Sequence, residues 1–193
     1  MNYFLLFLLL LSTPAFAGGY YEPHIDTYDP ASGLYYKAVH DHTTEGGFLS
    51  SKSSRNTITN INIFDPANGT STILFKAPKK EGISIVIFET GFKNSEIEFN
   101  ASHSNLVMNN SRISKREPKN KLLIGIRSAD SKETTLFVSD KRGAGLKKLV
   151  SVPATADWHI DVKNSKLRVV HQAGKGVRIE SYGGDAYPQN EWP

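Results

Sequence analysis

Period-two alternation runs through this chain, and it sets the fold class. Ile58-Thr-Asn-Ile-Asn-Ile-Phe64 puts apolar side chains on one face and polar ones on the other, as a half-buried strand does. Thr70–Phe75, Ile83–Phe88, Lys121–Arg127, Thr135–Ser139, Trp158–Val162, Leu167–His171 and Val177–Tyr182 follow the same logic. They are rich in β-branched and aromatic residues, which suit a pleated, half-buried surface. Beyond the N-terminus, no window of helical length carries a sustained apolar stripe of helical period. The chain is predicted to be all-β.

The N-terminus is different. Phe4 to Leu11 is unbroken apolar sequence, Ser12-Thr-Pro14 ends it, and Ala15-Phe-Ala17 places small residues where a signal peptidase reads them. A bilayer span needs about 20 apolar residues, so this run is read as a secretory signal peptide cut after Ala17 rather than as an anchor. No Lys or Arg precedes the apolar run, which leaves the α-amino group as its positive charge. Residues 18–193 are then expected to form a single all-β domain with an irregular tail from about residue 183. No second stretch of spanning length follows, so no transmembrane segment is expected after cleavage. The chain has no cysteine. That excludes disulfide staples, a cysteine-linked lipid, thiolate catalysis and cysteine metal sites. The expected location is periplasmic or secreted.

Charge is unevenly placed. Residues 18–111 hold 7 Lys and Arg against 10 Asp and Glu, whereas residues 112–193 hold 16 against 9. A basic half can meet an acidic protein or an anionic polymer, although solvated strand faces and turn lysines produce the same count. Export makes nucleic acid an unsuitable ligand.

The turns share a design. Asp29-Pro-Ala-Ser-Gly33 and Asp65-Pro-Ala-Asn-Gly69 combine an acceptor side chain, a fixed φ and a glycine able to close the turn; Asp140-Lys-Arg-Gly-Ala-Gly145 is a looser version. Their starts are spaced by 36 and 75 residues, near one and two repeats of a hairpin-based propeller blade. Leu136-Phe-Val-Ser-Asp-Lys-Arg-Gly-Ala-Gly-Leu-Lys-Lys-Leu149, followed by Trp158 to Val170, resembles blades of the TolB-like β-propellers. In that family a strand ending in aspartate enters a D-x-x-G-x-x-L turn. The likeness covers residues 121–182 and more loosely 55–90. It implies a rigid β scaffold making protein–protein contacts in the cell envelope. A full ring of six blades needs more residues than this chain has. The expected fold is therefore a small or incomplete propeller-like array of antiparallel blades, with a β-sandwich as the alternative. His42–Arg55 and Asn109–Asn120, both polar, are predicted to be loops.

Several residue groups could carry chemistry. His40 and His42 share a strand face at a spacing that can bind a metal, yet no third ligand is fixed by the sequence. His159 and Asp161 share the face opposite Trp158 and Ile160 and could act as a base and its orienting carboxylate. Ser139, Ser151 and Ser181 are open choices of nucleophile, while a structural role for Trp158 and a turn-forming one for Asp161 explain the same residues. Glu96 and Glu98 form an acidic pair on one strand face, as a solvated face also would. Lys141, Arg142, Lys147 and Lys148 flank the third turn and, with Lys115, Arg116 and Lys119, could form a basic rim. No cofactor is implied. The expected function is an exported, non-enzymatic binding domain. The alternatives are a periplasmic immunity protein against an interbacterial toxin and an envelope hydrolase.

Overall fold

The computed structural model describes residues 25–45, 53–93, 96–101, 107–108 and 117–183. These residues form strands and turns without helix. Among them no helix is long and apolar enough to cross a membrane.

The strands are β1 (Thr27–Asp29), β2 (Leu34–Glu45), β3 (Ser53–Asp65), β4 (Thr70–Ile73), β5 (Ile83–Lys93), β6 (Glu96–Ala101) and β7 (Val107–Met108). They continue with β8 (Leu122–Arg127), β9 (Glu133–Ser139), β10 (Lys147–Pro153), β11 (Ala156–Asp161), β12 (Lys166–Ala173) and β13 (Gly176–Tyr182). Three sheets result: β1-β2-β3-β4, β10-β9-β8-β5-β6 and β13-β12-β11-β7. All pairings are antiparallel except the short β7–β11 contact.

The second sheet lies between the other two, and its sequence explains why. Strands of an outer sheet bury one face and alternate, whereas a sheet covered on both faces needs apolar residues at every position. Ile83, Val86, Phe88, Leu122, Ile124 and Ile126 join the core shared with Leu34, Tyr36, Ile61 and Ile63 of the first sheet. The intervening Ile85, Ile87 and Leu123 turn the other way, into a core shared with Ile160, Leu167 and Val169 of the third sheet. Five consecutive residues, Leu122 to Ile126, are therefore buried. Each fully buried Leu or Ile contributes about 1.5–3 kcal/mol relative to exposure. The three sheets form an open stack and do not close on themselves.

A buried asparagine extends the first sheet past β4. Asn60 donates its amide to the Phe75 carbonyl at 2.8 Å and accepts from the Phe75 and Ile61 N–H groups at 3.0 and 2.9 Å. It thereby replaces a missing stretch of backbone ladder.

The structure revises two expectations. The 36-residue spacing is not a distance between sheets, because the Asp29 turn joins β1 to β2 and the Asp65 turn joins β3 to β4 in one sheet. Residues 42–45 and 53–55, read as loop, are arms of the long β2–β3 hairpin, paired from His42–Asn56 to Glu45–Ser53. That stretch of sequence carries no apolar alternation to signal a strand. Residues 109–116 lie outside the described set, and Glu117–Asn120 contain no strand.

Gly125 tests the double-sided packing. It pairs with Ile85, and a Cβ there would sit 2.8 Å from the Ile85 Cβ and 2.9 Å from its Cδ1. Gly125→Ala should destabilise the protein by about 1–3 kcal/mol, the usual cost of overpacking a filled core. Urea unfolding followed by fluorescence measures this as a lower midpoint.

Candidate functional site

The three acidic turns are linked at one end of the first two sheets. In the first, Asp29 Oδ1 accepts the Ala31 N–H at 3.1 Å, Oδ2 accepts the Ser32 hydroxyl, and the Asp29 carbonyl accepts the Gly33 N–H at 2.8 Å. The second repeats it, with Asp65 accepting from the Ala67 N–H at 3.0 Å and the Asn68 amide at 2.8 Å. Gly33 and Gly69 close these turns at φ +74° and +62°, a region that disfavours a side chain. In the third, Asp140 Oδ1 accepts the Arg142 and Ala144 N–H groups at 3.0 and 2.7 Å.

The third turn reaches into both others. Lys141 is 2% exposed and Asp29 is fully buried, and the ammonium donates to Asp29 Oδ2 at 2.7 Å. The same ammonium donates to the Glu89 carbonyl and lies 5.6 Å from the centre of the Phe88 ring. Thr90 donates to the other Asp29 oxygen at 2.8 Å, and the Tyr36 hydroxyl donates to the Lys141 carbonyl at 3.0 Å. Arg142 pairs with Asp65. Successive residues of one turn thus hold the aspartates of the other two.

Burial alone would raise the Asp29 carboxyl. Hydrogen bonds from Lys141, Ser32 and Thr90 outweigh it and hold the group below its ordinary value of 3.8. Asp65 is also held below 3.8, first by the Arg142 guanidinium and then by Asn68. Burial and the neighbouring Asp29 charge push the Tyr36 phenol upward, so it remains a neutral donor.

The predicted rim is therefore divided. Lys141 faces inward and its charge is matched internally. Arg142 is exposed but paired with Asp65. Lys147 and Lys148 lie on β10, an outer strand of the middle sheet, with Lys148 exposed. Lys115 and Arg116 lie outside the described residues.

The other candidates are not assembled into a site. His40 sits opposite Ile58, and the side chain of His42 lies outside the described set. Among the described residues no group of three His, Asp or Glu side chains is placed to hold a metal. Asp161 accepts from Arg168 Nη2 at 2.9 Å and from the Asn164 side-chain amide at 2.7 Å. Burial would raise its carboxyl, but the Asn164 and Arg168 bonds hold it below its ordinary value. It serves as the turn former and ion-pair partner between β11 and β12. His159 lines an open cleft of about 480 Å³ with Arg127, Thr134, Pro153 and Trp158. Ser139 is buried and donates to the Asp140 carbonyl at 2.8 Å, Ser151 shares a hydrogen bond with Thr135, and Ser181 accepts from Arg168. Glu98 is exposed, and the side chain of Glu96 lies outside the described set.

Glu89 escaped the sequence reading. It is fully buried and accepts the Lys119 N–H at 2.7 Å. A carboxylate following the apolar run Ile85–Phe88 was the available signal. Comparison with protein-family models, curated proteins and solved structures finds no match.

Lys141→Met strands a buried carboxylate and should cost about 3–5 kcal/mol in chemical denaturation. Adding Asp29→Asn should recover part of this, because a neutral amide still accepts from Thr90 and Ala31 without needing a counter-ion. The depressed Asp29 carboxyl stabilises the fold fully above about pH 4, and that contribution is lost as pH falls through its folded value. The melting-temperature gap between the native protein and the double variant should accordingly narrow below about pH 4.

Proposed function

We propose that this chain is an exported, non-enzymatic binding domain of the cell envelope, and that the three-turn end is the surface it presents to a protein partner. The observation that carries this reading is the linkage of Lys141 to Asp29 and Arg142 to Asp65, which joins three turns into one preorganised surface. Pro30, Ala31, Pro66, Ala67, Asn68 and Ala144 are exposed there on backbone already fixed by hydrogen bonds. A surface ordered in advance avoids much of the entropic cost of ordering loops on binding. The apolar N-terminal run with its Ala15-Phe-Ala17 ending supports export.

We read the stack as an incomplete, TolB-like propeller array. The successive meanders β8-β9-β10 and β11-β12-β13 support that reading, each being three antiparallel strands in a separate layer. The non-enzymatic reading is supported by Asp161, whose oxygens are engaged by Arg168 and Asn164 rather than orienting His159.

Site-specific photocrosslinking in the native envelope tests the proposal. Probes at Ala31, Asn68 and Ala144 should each yield the same discrete protein adduct, and a probe at Lys175, on the β12–β13 turn, should not. Arg142→Glu should weaken the adduct several-fold without changing secreted levels. Equal labelling at Lys175, or none at the three turns, would overturn it.

A further inference from the structure

The open cleft of about 480 Å³ lies at the end of the middle sheet opposite the three-turn end. The turn that precedes β9 and the Asp140 turn that follows it are separated by the whole strand, Glu133 to Ser139. Arg127, Thr134 and Val152 form one cross-strand row on β8, β9 and β10, and the burial of Val152 in the second core shows that this row faces the third sheet. Across from it stands the start of β11. There Trp158 shares the inward face with Ile160, while Asp157 and His159 take the outward one. Among the described residues β7 reaches β11 only at Ile160 and Asp161, short of this stretch. The cleft therefore wraps the edge of β11, and residues of both its faces line it.

Its walls are fixed without a ligand. The Ala154 N–H donates to the Lys132 carbonyl at 2.7 Å, tying the β10–β11 turn to the β8–β9 turn. Within the latter, Ser128 donates its hydroxyl to Asp130 Oδ1 at 2.7 Å and accepts the Glu133 N–H at 3.1 Å. Ser131, which lines the cleft, is held at φ +57°, an uncommon conformation for a residue with a side chain. The ionisable groups that line the cleft are, by contrast, unengaged. Arg142, Arg168 and Arg178 each pair with a carboxylate. Among the described residues, neither the Arg127 guanidinium, the His159 imidazole nor the Asp157 carboxylate has an ion pair or a hydrogen bond.

These free groups define the ligand. A guanidinium offers planar, permanently charged donors that match a carboxylate. Among the described residues lining the cleft, Asp157 is the only acid, and an ionised carboxylate accepts hydrogen bonds without donating any. A bare anion on Arg127 would leave Asp157 facing a like charge. With the Ser131 and Thr134 hydroxyls, Asp157 instead suits a molecule that presents several hydroxyls beside one negative group. The half-buried Trp158 indole and the exposed Pro153 supply apolar surface for the C–H face of a sugar ring. The volume lies within the range of small-molecule sites, roughly 300–1,000 Å³. We infer that the cleft binds a short oligosaccharide carrying a carboxylate, with Arg127 on the carboxylate, Asp157 and Thr134 on ring hydroxyls and Trp158 against a sugar ring. This site stands apart from the protein-binding role of the three-turn end and does not depend on it.

Calorimetric titration of the native chain with the trimer of galacturonic acid tests this, beside the neutral galactose trimer and inorganic phosphate. The galacturonic acid trimer should bind saturably, and each of the other two should bind at least about tenfold more weakly. Arg127→Gln should weaken binding about tenfold or more with an unchanged melting temperature, because the side chain is exposed and makes no internal contact that folding needs. Lys148→Gln, at the far end of β10, should leave binding unchanged. The chain has two tryptophans, so Trp192→Phe leaves Trp158 as the sole indole, and its emission should shift as the trimer binds. Absence of saturable heat overturns the inference. So does equal binding of the neutral trimer, or equal binding of phosphate, which would mark a general anion site. Binding that survives Arg127→Gln intact, or that leaves the Trp158 emission unmoved, places the sugar elsewhere and also overturns it.

Discussion

The buried pair of Lys141 and Asp29 ties the first hairpin to the turn between β9 and β10. Asp29 closes the first hairpin, and Lys141 opens the turn that leads from β9 to the outermost strand of the middle sheet. A lone ammonium or carboxylate at this depth would be strongly disfavoured. Each is tolerated because the other is present and because Thr90, Ser32, Ala31 and the Glu89 carbonyl satisfy what remains. Such a pair contributes little net stability compared with a well-packed apolar substitute. What it fixes is alignment, since the two sheets can pack at this end only where the charges meet. Arg142 and Asp65 repeat the device nearer solvent, where screening weakens it.

The middle sheet imposes the second constraint. Because its centre is covered twice, the central strands β5 and β8 read as nearly continuous apolar runs from Ile83 to Phe88 and from Leu122 to Ile126. Among the described residues, each outer sheet packs one face against it. That asymmetry places polar chemistry at the turns and outward faces and leaves the centre to packing alone.

Much of the strand pattern was legible in the residues. Alternation located β3, β4, β9, β11, β12 and β13, β-branched apolar runs located β5 and β8, and the Asp and Gly turns were recognised because their mechanism is local. Non-local features were not legible. The polar arms of β2 and β3 are paired by backbone hydrogen bonds that leave no trace in side-chain pattern. The repeated turn motif looked like a repeat of sheets, when it is one solution used twice in a single meander. The basic rim shows the limit most sharply. Sequence shows that Lys141, Arg142, Lys147 and Lys148 are close along the chain, but not that Lys141 points inward toward an aspartate from the first hairpin. Local motifs identify turns; only the fold decides which turns meet.

The separation along the chain of the buried pair has a kinetic meaning. Lys141 and Asp29 are 112 residues apart, so closing that contact must await most of the polypeptide. An amino-terminal half made alone can form its hairpins but retains a carboxylate without its counter-charge. The first sheet is therefore finished by residues that emerge late. Until they arrive, the chain is held back from its final packing.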